Sequence, residues 1–399
     1  MTIPAFPSPD AFSEILHTRM KAVNPGIEDM ELYEFRYCLD NLKPENRGWD
    51  SVDLLPAGEV EAWIQAPGFF DGIQIKPRVA GKIVLDETIV RLTNMLLVGL
   101  ATGEYSAEWI RAHFYFDVRG FLFLTRTTYF TDAVLAHLGG RPFRSFEQKQ
   151  EPLERCLELG YSAFKAANAE VDAAFLSSVK RLIEARGTPI VLAVAGGMAA
   201  GKTEIVARLR SSFEQAGRPV TSIELDNFLT DRDRREQKGI HTLGREAIHF
   251  ELLYAGLQDI LRGRAITIPR YDFIDGTSSH ALDGTLKPGR VPIEIEPAEI
   301  IFMEGNFPFL LEEITPLVGI KVVYLTGDAI RLKRKWRRDI DFRKKYDPNY
   351  FLNRFFRNQP LMAEKCYRPQ MQLCDLVVDT TGAALWATPE TAATLWEQS

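Results

Sequence analysis

The chain has 399 residues, 46% hydrophobic and 26% charged, and its 48 Lys and Arg against 54 Asp and Glu give a net charge of −6. That balance reads as a folded protein of two or three domains and excludes a general electrostatic grip on nucleic acid, so any basic site must be local. Cys38, Cys156, Cys366 and Cys374 form no C-x-x-C pair, the start lacks a basic segment followed by an apolar run, and no apolar stretch is long enough to span a bilayer. A cytoplasmic protein without a membrane partner is expected.

Ser8 and Pro9 before "DAFSEILHTRM" have the N-cap and first-turn chemistry of a helix. "HFYFDVRGFLFLTRTT", 113–128, predicts two strands around an Arg119-Gly120 turn, with its aromatics packing a core, and "TDAVLAHLGG" predicts a short helix closed by glycine. From 147 to 187 the composition is helix-forming, with an interruption near Gly160 and a stop at Arg186-Gly187. The expected organisation is a mixed α+β domain over 1–146, a helical connector over 147–187 and an α/β domain over 188–399.

The third region opens on "VLAVAGGMAAGKTEIVARL", 191–209, an apolar run, a Gly/Ala-rich turn and a helical pattern. Gly196, Gly201, Lys202 and Thr203 fit the P-loop spacing G-x-x-x-x-G-K-[ST], with Gly197, Met198, Ala199 and Ala200 between the glycines. In such a loop the backbone N–H groups wrap phosphates, the lysine reaches the β/γ oxygens and the Thr hydroxyl meets Mg²⁺. Glycine suits 196 and 201 because the backbone must bend tightly beside an anion. A nucleoside triphosphate site is expected.

Beyond the loop, strand and helix patterns alternate: a helix over 202–216, strands in "RPVTSIEL", "AITIPRYD", "AEIIFMEG", "IKVVYLTG" and "DLVVDT", and helices over 245–262 and from 328. This predicts a doubly wound, mostly parallel sheet of the P-loop NTPase kind, with ligands outside the carboxyl ends of its strands. Two acids stand at such ends, Asp226 after "TSIEL" and Glu304 in "IIFMEG". One carboxylate can take the proton of an attacking hydroxyl while the other holds Mg²⁺. "RLKRKWRRDIDFRKK", 331–345, sets nine basic residues against two acidic ones, and Arg331, Arg334 and Arg338 share one helical face. After a strand of such a domain, that run suits a lid that neutralises charge on a transferred phosphoryl group.

Residues 188–381 resemble the uridine kinase and phosphoribulokinase family of P-loop small-molecule kinases, in the bacterial nucleoside-kinase branch with an extra N-terminal domain. The resemblance rests on "GGMAAGKT", "LDNF", "LLYAGLQDILRGRAITIPRYDF", "IIFMEG" and "RLKRKWRRDIDFR" in family order. It implies ATP and Mg²⁺ as cofactors, Lys202 and Thr203 on the phosphates and metal, Asp226 as catalytic base and second metal group, and Glu304 assisting the metal. It further implies Arg334, Arg338 and Arg343 in the lid, Tyr271 and Asp272 of "PRYDF" at the acceptor pocket, and a homo-oligomer.

The chain departs from the family pattern at Gly276, where a base-reading histidine is usual, and at Met198 and Ala199, where Ser and Gly are usual. Where a ribose-binding aspartate is expected, "GIHTLGREAIH" offers His241 and His249. A uridine kinase-like phosphotransferase with a different hydroxyl acceptor is therefore expected. The alternative is a nucleotide-dependent switch with the N-terminal region as effector, and Asp226 separates the two, because a switch needs no base facing a substrate.

Overall fold

In a computed structural model the structure describes residues 8–40, 48–66, 76–79, 82–84, 87–117, 122–150, 161–240, 244–338 and 359–396, with Phe6, Leu42 and Phe69. These fall into two compact units. One holds the described residues of Met1–Thr128 and Asp328–Leu361; the other holds Tyr129–Gln150 and the described residues of Gly160–Gly327 and Met362–Ser399.

The first unit is built on helices, including Pro9–Val23, Leu32–Asp40, Ala57–Gln65, Glu87–Thr102 and Ala107–His113. Ser8 caps the first through Ala11 N at 3.1 Å, and Pro9 starts it, as the sequence predicts. Two antiparallel pairs accompany them, β1 (Lys76–Val79) with β2 (Lys82–Val84), and β3 (Phe114–Asp117) with β4 (Leu122–Thr125). Phe114 and Phe116 are buried with Phe12, Leu16, Leu96 and Ile110, which confirms their core role. The Arg119-Gly120 turn lies outside the described residues.

The second unit carries a seven-stranded sheet. Its members are β5 (Arg144–Ser145), β6 (Ile190–Ala195), β7 (Val220–Glu224), β12 (Ile300–Gly305), β13 (Ile320–Leu325), β14 (Leu376–Asp379) and β15 (Ala384–Ala387), in the order β5-β15-β14-β13-β6-β12-β7. The five strands from β14 to β7 are parallel; β15 and β5 pair antiparallel at one edge. Along β6, Val191, Ala193 and Ala195 join one apolar cluster and Ile190, Leu192 and Val194 the other. Burial on both faces is what a central parallel strand requires, and it explains the unbroken apolar run before the P-loop.

Helix Phe250–Leu261 covers one face through Leu253, Leu257 and Ile260. The other is covered by Lys202–Gln215 and by Ala169–Arg186, whose Val171, Phe175, Val179, Leu182 and Ile183 repeat every three or four residues. The segment expected as a connector thus supplies a layer of the sheet domain, because that apolar stripe must be buried. Its described break is at Asn168; Gly160 lies outside the described residues. "AITIPRYD" also differs from a single sheet strand. It divides into β8 (Ile266–Ile268) and β9 (Tyr271–Asp272), which pair with β11 (Ile293–Ile295) and β10 (Thr277–Ser278) in two small antiparallel ribbons. Among the described residues no helix is long and apolar enough to cross a membrane.

Candidate active site

The P-loop joins the carboxyl end of β6, the central strand, to helix Lys202–Gln215. Gly201 has φ +106°, open to glycine at little cost, and a Cβ on Gly196 would come within 2.4 Å of the Tyr324 carbonyl oxygen of β13. Both glycines of the motif therefore have a steric reason. Ala199 has φ +61°, a conformation that strains an L-residue by about 1–2 kcal/mol and that the family's usual glycine would relieve. The loop is braced from below: Thr326, buried just past β13, donates to the Ala200 carbonyl at 2.9 Å and lies 2.7 Å from the Thr380 hydroxyl.

Lys202 Nζ donates to the Gly197 carbonyl at 3.2 Å, and the Thr203 hydroxyl donates to Glu304 Oε2 at 3.1 Å. Glu304 is only 8% exposed, and its register beside Glu224 on β7 sets two acids on neighbouring strands. Burial raises the Glu304 carboxyl above the ordinary value; Lys202 and the Thr203 hydroxyl pull it back, while Glu224 and Asp226 push it further up. Asp226, half-buried, sits in a 3₁₀ turn, Leu225–Phe228, directly after β7.

Thr203, Glu304 and Asp226 are all hard oxygen donors, and the charge crowding on Glu304 is what a divalent cation relieves, so the set suits Mg²⁺. Among the described residues no three His, Cys, Asp or Glu side chains are disposed to hold a metal ion. Mg²⁺ is commonly held by one or two carboxylates with phosphate oxygens completing its shell.

The residues expected at the acceptor pocket arrange differently. Tyr271 is buried; its N–H donates to Asn227 Oδ1 at 3.3 Å, one residue from Asp226, and its hydroxyl accepts from Arg235 at 3.0 Å. Asp272 spends its carboxylate on the turn that follows, accepting from the N–H groups of Ile274 and Asp275, which hold it below the ordinary value. His241 lies outside the described residues.

Three pairings there have no signal in the sequence. Asp231 accepts both from Lys287 Nζ, at 2.8 and 2.9 Å, and from Ser278 N–H at 2.7 Å. Burial works to raise the Asp231 carboxyl, yet Lys287 and the Ser278 N–H outweigh it and hold it down. His249 Nε2 lies 3.0 Å from the Ser278 hydroxyl, 6% exposed, and burial, with His280 nearby, lowers its pKa to about 4. Arg235 stands against Tyr271. These partners lie 29 to 56 residues apart in the chain, beyond any local pattern.

The basic helix Asp328–Arg337 belongs to the first unit. Arg331 is buried there and donates to Gln359, while Asp328 accepts from Thr127 N–H at 3.1 Å. Arg331, placed by spacing on the face of Arg334 and Arg338, is thus an interior residue of that unit. Arg334 and Arg338 are half-buried, and Arg343 lies outside the described residues.

A family model described as the phosphoribulokinase/uridine kinase family matches residues 191–386. A uridine kinase of Brevibacillus brevis is 32% identical over 160 residues, 39% of this chain and 69% of that protein. The chain belongs to the phosphoribulokinase/uridine kinase family. A uridine kinase of Lactobacillus helveticus is 27% identical over 197 residues, covering 49% of this chain and 88% of its own length. Among solved structures, the phosphoribulokinase from Rhodobacter spheroides aligns with a TM-score of 0.36 at 18% identity, over 49% of this chain and 70% of that one. The family match begins inside β6, so helix Ala169–Arg186, which completes one face of the sheet, precedes it.

Proposed function

We propose that the protein transfers the γ-phosphate of ATP to a hydroxyl of a small molecule, with Asp226 as the base. The supporting observation is the convergence of Lys202, Thr203 and Glu304 at the ends of β6 and β12, with the charge of Asp226 felt at Glu304. Lys202 and the loop backbone bind phosphate oxygens; Thr203, Glu304 and Asp226 would hold Mg²⁺, which when bound neutralises charge on the transferred group. Asp226, on a turn pinned to Tyr271 through Asn227, accepts the proton of the attacking hydroxyl. Arg334, Arg338 and Arg343 carry charge of the sign that transfer requires.

The test is ADP release across a panel of hydroxyl compounds, with Asp226→Asn as control. The isosteric change should preserve nucleotide affinity measured without Mg²⁺ and lower turnover by about 10²-fold or more, as loss of a general base does. Turnover at the wild-type rate would move the base to another acid. Release that is driven by a macromolecule and indifferent to small alcohols would favour a switch.

A further inference from the structure

Arg235 is a buried cation that makes no ion pair among the described residues. It lies on the short helix Arg232–Gln237 and is 4% exposed. One terminal nitrogen donates to the Thr230 carbonyl, the other to the Tyr271 hydroxyl at 3.0 Å, and the guanidinium carbon stands 5.4 Å from the centre of the Tyr271 ring. Nε is buried and has no hydrogen-bond partner among the described residues. Its hydrogen-bond and ring partners among the described residues are neutral.

Asp233 and Glu236, its nearest acids in sequence, are exposed, and Asp231, one turn earlier, is already bound by Lys287 and the Ser278 N–H. Buried Arg331, by contrast, has Asp328 at 3.7 Å, and even the half-buried Arg208 has Asp172 at 2.7 Å. Burying a charge that has no opposite charge is costly, and an anionic ligand bound there would offset that cost. The two hydrogen bonds in place use two of the five guanidinium N–H groups. Nε–H and an adjacent terminal N–H remain, the side-on pair that matches two oxygens of a carboxylate or a phosphate.

The position gives that pair a use. Tyr271 connects Arg235 on one side to Asn227, the neighbour of Asp226, on the other. We propose that Arg235 determines the acceptor class by binding an anionic group, carboxylate or phosphate, of a compound whose hydroxyl is presented to Asp226. The proposal rests on the phosphotransferase reading. It also sets the acceptor apart from the neutral nucleoside named for the uridine kinase relatives.

The test uses the full chain and matched acceptors differing in one charge: glycerate against glycerol, ribulose 5-phosphate against ribulose, with uridine as a neutral nucleoside. The anionic members should exceed their neutral partners in kcat/KM by about 10- to 100-fold, as a hydrogen-bonded charge contributes, and which pair shows the larger ratio separates carboxylate from phosphate. Arg235→Met should collapse that ratio toward one through KM, with KM for ATP held; Arg235→Lys, which keeps the charge and loses the side-on pair, should fall between. Calorimetry with a non-hydrolysable ATP analogue filling the P-loop reads acceptor binding without turnover. Arg235-dependent binding of an anionic member without ADP release would sustain this proposal and overturn the transfer reaction. Uridine or another neutral member as the best acceptor, an unchanged ratio in Arg235→Met, or no binding of any anionic member would each overturn it.

Discussion

The phosphate side and the acceptor side of the second unit differ in how their chemistry is written. The P-loop works through backbone geometry, one glycine with φ +106° and another pressed against the Tyr324 carbonyl, so eight consecutive residues carry nearly all of it. The proposed acceptor side consists of side chains brought together from Asn227 to Lys287: Arg235 with Tyr271, Asp231 with Lys287, His249 with Ser278. Backbone chemistry leaves a contiguous trace, whereas paired side chains leave none.

The sharpest way to break the comparison is at Lys202. Its ammonium is the point charge of the loop, so Lys202→Ala should weaken ATP binding and lower kcat/KM by about 10²- to 10³-fold, roughly 3–4 kcal/mol of transition-state stabilisation. Acceptor binding, carried by other elements, should survive. ADP release near the wild-type rate would remove the phosphate assignment, and equal loss of acceptor affinity would show that the two sides are one unit.

The central sheet was legible for the same contiguous reason. Five parallel strands fall where the strand patterns between helical patterns predict them, and in β6 and β12 burial along the whole strand leaves no polar alternation to confuse the reading. What escaped depends on distance. β15 and β5 complete the sheet edge by pairing residues some 240 positions apart, and the exposed Arg144 and Ser145 carry no strand pattern. Helix Ala169–Arg186 was legible as a helix but not as a layer of this sheet, since its stripe does not say which surface it covers. At the site, Asp226 and Glu304 could be nominated from strand ends, while the brace from Thr326 to Ala200 could not.

The second prediction contrasts the two sides by pH. His249 is buried with a pKa lowered from 6.5 to about 4. A histidine depressed in the folded state contributes stability that is complete above its ordinary value and is lost as pH falls toward 4. The shift corresponds to up to about 3 kcal/mol, and His280, lowered by burial and Lys287, acts in the same direction. Urea unfolding at steps between pH 7 and 4 should show wild type losing more stability than His249→Asn. Parallel profiles would show that the acceptor side does not sense acid through this residue.

The smallest effect is expected at Glu304, with the opposite sign. Its carboxyl is raised by burial and by Glu224 and Asp226, so the folded state holds its proton more tightly than the unfolded chain does. The stabilising contribution is therefore present below the ordinary carboxylate range and is lost as pH rises through the raised value, leaving the ionised group a net cost at neutral pH. Glu304→Gln removes that charge while its amide oxygen still accepts from Thr203, so the ligand-free protein should melt higher at pH 7; each kcal/mol moves Tm by about 2–4 °C in a domain of 150–250 residues. The increment in Tm on adding Mg²⁺ and ATP should shrink in the same variant, because the cation then has less charge to meet. An unchanged or lower Tm in the ligand-free variant would mean that Glu304 is held by structural contacts rather than kept charged for a metal. A higher Tm with an undiminished Mg²⁺ response would assign the metal to Asp226 and Thr203 alone.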